Sequence, residues 1–560
     1  MGYFNLGSHT RPVTTSSAEA QLWFDRGLVW AYSFNHGEAE RCFERAAQYD
    51  PQCAMALWGI AYASGPNYNK AWRFFDQKDL RESIKRANSA LARASELAAQ
   101  TTPAEQALIK AISARFPPTD NIPDDLSHFD RDYADAMRPV YQAFGSNDAD
   151  IAALFADALM CITPRGLWDL NTGKPTGENT IESQRVIETA LKRPDGYNHL
   201  ALCHLYIHNM EMSPFSELAL PAADRLRGLV PDASHMLHMP THIDVAVGDY
   251  RRSVDSNNEA IIADDEYFAR EDASIQYTSY RVHYICAKLY AAMMSGRFVD
   301  AMSAAEKLEQ VIDSKLLSIT SPPMADSVES FLGSKAHVLV RFGRWEEILH
   351  LKLPTDPAGN LYCVTRAVIL YARGLAFSAL GRIPEAETAQ KEFETARAEV
   401  PPSRLNSIPV KEVDVLAVAS AMLAGELEYR KGNYDTAFST LRQAIQLEDS
   451  LPYCDPPAWM QPIRHALGGL LLEQGRVEEA EILFREDLGL AKDFPRRKAK
   501  LNNVWGLHGL YECFNRLGKI EEARFIQAAR DIALASADVP VVTSCYCRVS
   551  AVAGSGCCST

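Results

Sequence analysis

Apolar side chains recur every three or four positions along most of the chain, broken by short turns, and this period predicts amphipathic helices rather than strands. Trp23, Gly27, Ala39, Phe43, Ala46 and Pro51 fit a two-helix unit in which small residues let the helices cross closely and proline ends the second. Turns of one kind then recur: Gly248-Asp249-Tyr250, Gly296-Arg297-Phe298, Gly343-Arg344-Trp345, Gly381-Arg382-Ile383, Gly432-Asn433-Tyr434, Gly475-Arg476-Val477 and Gly518-Lys519-Ile520. Ala437 with Ala444, and Ala480 with Phe484, fall where a second helix needs small or apolar contacts.

The unit of about thirty-four residues resembles a tetratricopeptide repeat. The resemblance implies an all-α fold, a right-handed α-solenoid superhelix of helix pairs in which each pair buries its apolar face against its neighbours. The expected organisation is an N-terminal lead over 1–19, a superhelix over 20–535 and a cysteine-containing tail over 536–560. Repeats are regular over 20–69 and 200–535. Between 70 and 199 the helices stay recognisable while the repeat phase is lost in loops such as Phe116 to Pro118 and Thr163 to Gly177.

Two segments carry the chemistry. His204, His208 and Glu211 fall on one helical face at about 100° per residue, and His235, His238 and His242 fall on another. In tetratricopeptide repeats the second, fifth, ninth and twelfth positions of the first helix face the groove. Counting back from Gly248 makes His235, His238 and His242 second, fifth and ninth; counting back from Pro231 makes His204, His208 and Glu211 fifth, ninth and twelfth. The same numbering places His283, His337, His465 and His508 on the inner wall, so that nine of the fourteen histidines face the groove. His9, His36, His128, His199 and His350 fall elsewhere and read as surface or capping residues.

Neutral imidazoles with a carboxylate suit a divalent transition metal, iron, copper or zinc. The expected ligands are His204, His208, Glu211, His235, His238 and His242, with His283 and His465 as catalytic proton-transfer groups. Pro240 either kinks or restarts the second helix, because proline cannot continue a helical hydrogen-bond ladder. Trp58, Tyr62, Tyr206, His337, Tyr371 and His508 are candidate substrate contacts suited to an apolar or aromatic molecule. Cys545 and Cys547 are possible tail ligands if the tail folds back into the groove. Cys557-Cys558-Ser559-Thr560 has only the outline of a prenylation box, since Ser559 is not aliphatic.

Composition narrows the partners. With 47% hydrophobic residues and 23% charged, the chain can bury an extensive core. A net charge of −15 without a basic run disfavours nucleic acid. No apolar stretch approaches the ~20 residues of a spanning helix, and the first residues lack the pattern of a secretory signal, so a soluble cytoplasmic protein is expected. Cysteines such as Cys42, Cys53, Cys161 and Cys203 stand singly within helical patterns, as buried thiols in a reducing compartment do.

The segments Phe34-Asn35-His36, Asp50 to Gly59, Gly65-Pro66-Asn67-Tyr68-Asn69 and His238 to His242 resemble a branch of tetratricopeptide-repeat proteins found in microbes and filamentous fungi. The likeness implies the fold and brings no activity with it. Chaperone-binding relatives hold a peptide carboxylate with inner-wall Lys, Asn and Arg, and here Phe24, Leu28, Trp58, Tyr62 and the histidines stand in those places. Two readings follow. One is a metal-dependent enzyme acting on a small apolar or aromatic metabolite by polarising a carbonyl, activating water or binding dioxygen, with an oxidative step of secondary metabolism as one such case. The alternative is a non-catalytic scaffold binding a peptide or protein in the same groove.

Overall fold

A computed structural model describes residues 2–271, 275–356 and 361–553; Cys557 and Cys558 lie outside them. The described residues are helical almost throughout, and their one ladder is the two-stranded pair Leu405–Ser407 with Val410–Lys411. The chain forms two compact units, residues 1–243 with 258–280 and residues 244–257 with 281–560.

In the first unit, helices Ala18–Tyr32 and His36–Tyr49 form a hairpin whose ends are capped by Ser17, accepting from the Ala20 amide, and Asn35, accepting from the Glu38 amide. Helix Ala54–Ser64 follows. Gly27 and Gly59 explain the close crossing, because an added Cβ would lie 2.7 Å and 2.4 Å from the Phe43 ring. Glycine here makes room for a neighbour. Burying that one ring contributes roughly 2–3 kcal/mol. The phase lost in the sequence between 70 and 199 corresponds to long helices, including Gln77–Leu97, Ser127–Phe144 and Ala149–Cys161, separated by loops at 65–76 and 162–177.

The second unit repeats the hairpin with the same device: Phe484 fills the space above both Gly468 and Gly509, where a Cβ would approach to 2.4 Å. All seven turn glycines have φ between +65° and +83°. In each, the residue after glycine donates its amide to the carbonyl five positions back, at 2.8–3.0 Å, which closes the helix C-terminus in the left-handed conformation glycine adopts without Cβ penalty.

The interior of the second unit is filled by its own chain. Trp459 and Met460 are buried, and Gln461 Nε2 donates to the His337 carbonyl at 2.7 Å. From the tail, Ser544 Oγ donates to the His465 carbonyl at 3.0 Å and Arg430 donates to the Cys547 carbonyl. Two cavities beside these segments measure about 20 and 10 Å³, room for about one water each.

Candidate metal centre

Helix Leu200–Met210 carries His204 and His208, with Glu211 as its C-cap. Helix Ser234–His238 carries His235 and His238, and helix Pro240–Val247 carries His242. Pro240 therefore starts a new helix. The interruption is confined to Met239, which keeps helical angles (φ −53°, ψ −37°), so the three histidines stay on one wound segment.

The structure brings all six groups together and buries them; His242, at 7% exposure, is the most accessible. Their hydrogen bonds separate the two nitrogens of each ring. His204 Nδ1 meets the Tyr32 carbonyl at 2.8 Å, so it carries the proton and leaves Nε2 with a lone pair. His208 Nδ1 meets Glu211 Oε1 at 2.8 Å, and His242 Nδ1 meets Glu211 Oε2. Both rings are thereby held in the tautomer whose Nε2 is an acceptor. Glu211, expected as a ligand, is placed instead to orient two imidazoles, a role that fixes ring geometry and raises basicity in metal sites.

The acceptor nitrogens then converge. His204 Nε2 lies 3.1 Å from His235 Nε2, and His238 Nε2 lies 2.9 Å from His242 Nε2. One nitrogen each from His204, His208 and His235 falls within 4.8 Å of the others. Two imidazole nitrogens on one tetrahedral ion stand about 3.3 Å apart, and the 3.1 Å pair is close to that edge. His208 Nε2 is buried without a hydrogen-bond partner, and an orphaned buried acceptor in a polar cluster calls for an occupant.

Burial favours the neutral form of three of the rings. Burial lowers the His204, His208 and His235 pKa values, with neighbouring histidines adding to the effect on each; the Glu211 carboxylate opposes it at His208. Metal ligation requires that form. Burial alone would raise the Glu211 pKa, but His242 and His208 outweigh it and hold the carboxyl ionised.

Three aromatic rings wall the trio. Phe34 packs on His204, His208 and His235 with centroids 4.6, 5.7 and 5.4 Å away. Tyr68 packs on His208 at 4.7 Å, and Tyr280 on His235 at 5.2 Å. Phe34 has φ +57°. It occupies the left-handed place that glycine fills in the other turns, with the same bond from the Asn35 amide to the Trp30 carbonyl at 3.0 Å. Strain of this kind costs about 1–2 kcal/mol and persists where something else needs the side chain. Here that is the cover over three imidazoles.

A second group adjoins the first through Tyr32, whose hydroxyl donates to Asp150 Oδ1 at 2.7 Å while its carbonyl serves His204. His9 Nε2 and His199 Nε2 meet the same oxygen at 3.2 and 3.0 Å. His199 also caps helix Leu200–Met210 by accepting from the Leu202 amide.

Most of the remaining candidates have other partners. Tyr62 donates to Asp157 Oδ2 at 3.0 Å and stacks on Trp58, and Tyr206 donates to Glu188 Oε1 at 2.8 Å. In the second unit, His465 Nε2 meets Asp487 Oδ2 at 2.8 Å while its Nδ1 accepts from Arg341 Nη1 at 3.1 Å, so both nitrogens are committed. His283 stands half-buried on helix Ile275–Met294. His337 lies against Trp459, and burial lowers its pKa to about 4. Tyr371 also packs on Trp459, while His508, likewise held near 4 chiefly by burial, stands on helix Val504–Arg516. Cys545 and Cys547 are joined to each other in a disulfide, which leaves no thiolate for a metal.

Sequence reasoning missed Phe34, Tyr68, Tyr280 and Tyr32. Phe34 and Tyr68 lie in segments that marked the family resemblance, yet no helical period points either at the histidines.

Among the described residues no helix is long and apolar enough to cross a membrane. The sequence model of the tetratricopeptide repeat matches residues 20–53. A search of curated proteins finds no match. Solved structures with similarity include the human IFIT1 dimer with m7Gppp-AAAA, 10% identical, covering 93% of this chain and 91% of that one, at a TM-score of 0.31. The Cut9–Hcn1 hetero-tetramer of the APC/C is 12% identical, covering 88% and 76%, also at 0.31. Scores this low carry no argument. Residues 20–53 match a tetratricopeptide repeat, and a helix-hairpin turn of one geometry recurs seven times between Gly248 and Gly518.

Proposed function

We propose that the His204, His208 and His235 cluster holds a divalent transition metal, and that the protein is a metal-dependent enzyme acting on a small apolar or aromatic metabolite. The observation that carries this reading is the convergence of three imidazole nitrogens within 4.8 Å while Tyr32 and Glu211 occupy the opposite nitrogens of two of those rings. His208 Nε2 is left without a protein partner, whereas His465 spends both nitrogens on protein groups. A trio of neutral imidazoles suits zinc, copper or iron, and such an ion supplies a Lewis acid or a redox centre. Phe34, Tyr68 and Tyr280 exclude water and offer flat apolar contact. His238 and His242, paired at 2.9 Å and tied to Glu211, form a hydrogen-bonded path along which a proton can shift at Nε2.

Elemental analysis of the purified protein tests the metal. Near-stoichiometric zinc, copper or iron that falls to background in the His204→Ala/His208→Ala double variant, with the helical fold retained, supports the reading. Protein that stays metal-free after incubation with each ion overturns it.

The scaffold reading has its own support in the repeat match and in the last hairpin, where Phe525 and Ile532 on helix Ile520–Leu534 are 79% and 76% exposed. Seven residues apart, they share one helix face. A protein partner bound there would be lost in a Phe525→Glu/Ile532→Glu variant, with metal content unchanged.

A further inference from the structure

The trio is bordered by an arginine that has no acidic partner. The chain is strongly acidic, at −15, and most of its arginines near carboxylates form ion pairs, yet no ion pair among the described residues involves Arg165. Its Nη1 reaches only the neutral Asn69 Oδ1, at 3.5 Å, and its Nε is buried without a partner. Arg165 is held at φ +58°, the left-handed region, in the loop between helices Ala149–Cys161 and Glu178–Leu191.

Shared neighbours tie this guanidinium to the imidazoles. Its charge is felt at Tyr280, next after burial, and more weakly at Tyr68 and His208, where Glu211 outranks it. Tyr68 and Tyr280 are the rings packed on His208 and His235, and Asn69 also bonds to the Tyr280 side chain. The Tyr68 hydroxyl, on a residue only 1% exposed, makes no hydrogen bond of ordinary geometry. Outward from Arg165 lies a second cation: Arg73, exposed at the surface, donates to the Pro164 carbonyl at 3.5 Å. Positive charge thus runs from exposed Arg73 through half-buried Arg165 toward buried Tyr68 and His208.

We infer that Arg165 and Tyr68 form an oxyanion subsite, and that the substrate at the histidine trio is a small carboxylate with an apolar or aromatic body. The reason is geometric and chemical. A guanidinium fork with free N–H groups matches a planar carboxylate, the buried Tyr68 hydroxyl, whose proton has no acceptor of ordinary geometry, supplies a further donor, and Phe34, Tyr68 and Tyr280 take the flat apolar remainder. Arg73 raises the local concentration of anions by long-range attraction. This inference rests on the metal reading for its reaction but not for its binding.

The probes are benzoate, its neutral isostere benzamide, and phenyl phosphate, measured by calorimetry on the full chain, with metal content read on the same samples. Benzoate binds, benzamide does not, and phenyl phosphate binds more weakly. Arg165→Met lowers benzoate affinity roughly ten- to a hundredfold and Tyr68→Phe roughly tenfold, both with unchanged metal content and helical signal. Arg165→Lys restores part of the loss. Equal binding of benzamide and benzoate, preference for phenyl phosphate, or full affinity in correctly folded Arg165→Met overturns the inference. Should the protein prove metal-free while benzoate still binds through Arg165, the anion subsite stands and the enzyme reading alone falls.

Discussion

The two units bury histidines in different company. In the second, His465 bridges two charges: Asp487 accepts a hydrogen bond from its Nε2 and Arg341 donates to its Nδ1, so the ring relays an attraction between ions that do not touch. In the first, the charge pattern is inverted. One carboxylate, Glu211, serves two rings from behind, and their other nitrogens face each other's neighbours instead of an ion. An inner-wall position determines where an imidazole stands; its partners determine whether a lone pair is left over. The contrast separates a histidine that completes a core from a set that, in the proposed function, holds a cation.

Removing Asp487 tests the first half of that contrast and carries the largest effect. Burial alone would raise the Asp487 pKa, but His465, Lys500 and Asn503 outweigh it and keep the carboxylate ionised. Asp487→Ala leaves Arg341, itself lowered to about 9 by burial, facing a ring with no counter-charge. The expected loss is about 3–5 kcal/mol in urea unfolding, with metal content unchanged. A loss under about 1 kcal/mol would place the pair among ordinary polar contacts.

Glu211→Gln tests the other half. Glutamine keeps one acceptor oxygen but presents an amide N–H toward a ring N–H, so one of the two imidazoles loses its fixed tautomer. Metal affinity should drop roughly ten- to a hundredfold, measured by competition with a chromophoric chelator, and His465→Ala should leave it unaltered. Equal affinity in the glutamine variant would mean that the carboxylate is not what aims the rings.

The second unit also carries a carboxyl that responds to pH. Burial pushes Glu412, the first residue of helix Glu412–Arg430, up to about 7. A carboxyl whose folded pKa is raised favours the folded state below its unfolded value near 4.3, and that contribution disappears as pH climbs through about 7. Glutamine cannot ionise and retains the oxygen that accepts from Asn406 Nδ2 at 2.8 Å. The stability advantage of Glu412→Gln over the native protein should widen by roughly 2 kcal/mol between pH 5 and pH 8. A constant difference across that range would show that Glu412 ionises as freely as in solution.

What the sequence made legible was whatever is local. The glycine turns are readable because a left-handed residue at a helix end selects glycine from its own φ, and the six clustered groups are readable because helical spacing puts them on two faces. Groups supplied from far along the chain are not. Tyr32, which orients His204 from 172 positions away, carries no periodic mark, and Tyr68 and Arg165 lie in the loops at 65–76 and 162–177, outside any helical period. Spacing also cannot tell which oxygen or nitrogen of a group is already spoken for. Glu211 therefore reads as a ligand from its helical position and as an orienting residue once its two bonds are seen, and His465 reads as a free inner-wall base until Arg341 and Asp487 are placed.

The smallest effect isolates the one turn that departs from the rest. Gly518 lies at φ +69° with open space where a Cβ would be, so Gly518→Ala measures backbone strain alone, and should cost about 1 kcal/mol. If the Phe34 turn is the same structure carrying a ring for other reasons, the same increment must appear there with its sign reversed by the direction of substitution. Phe34→Ala and Phe34→Gly both lose the ring that covers His204, His208 and His235. The glycine variant should nevertheless be the more stable of the two by about 1 kcal/mol, although glycine ordinarily loses to alanine through its chain entropy. Alanine equal to or better than glycine at this position would mean that residue 34 is not held in the left-handed turn, and that its ring reaches the histidines by another route.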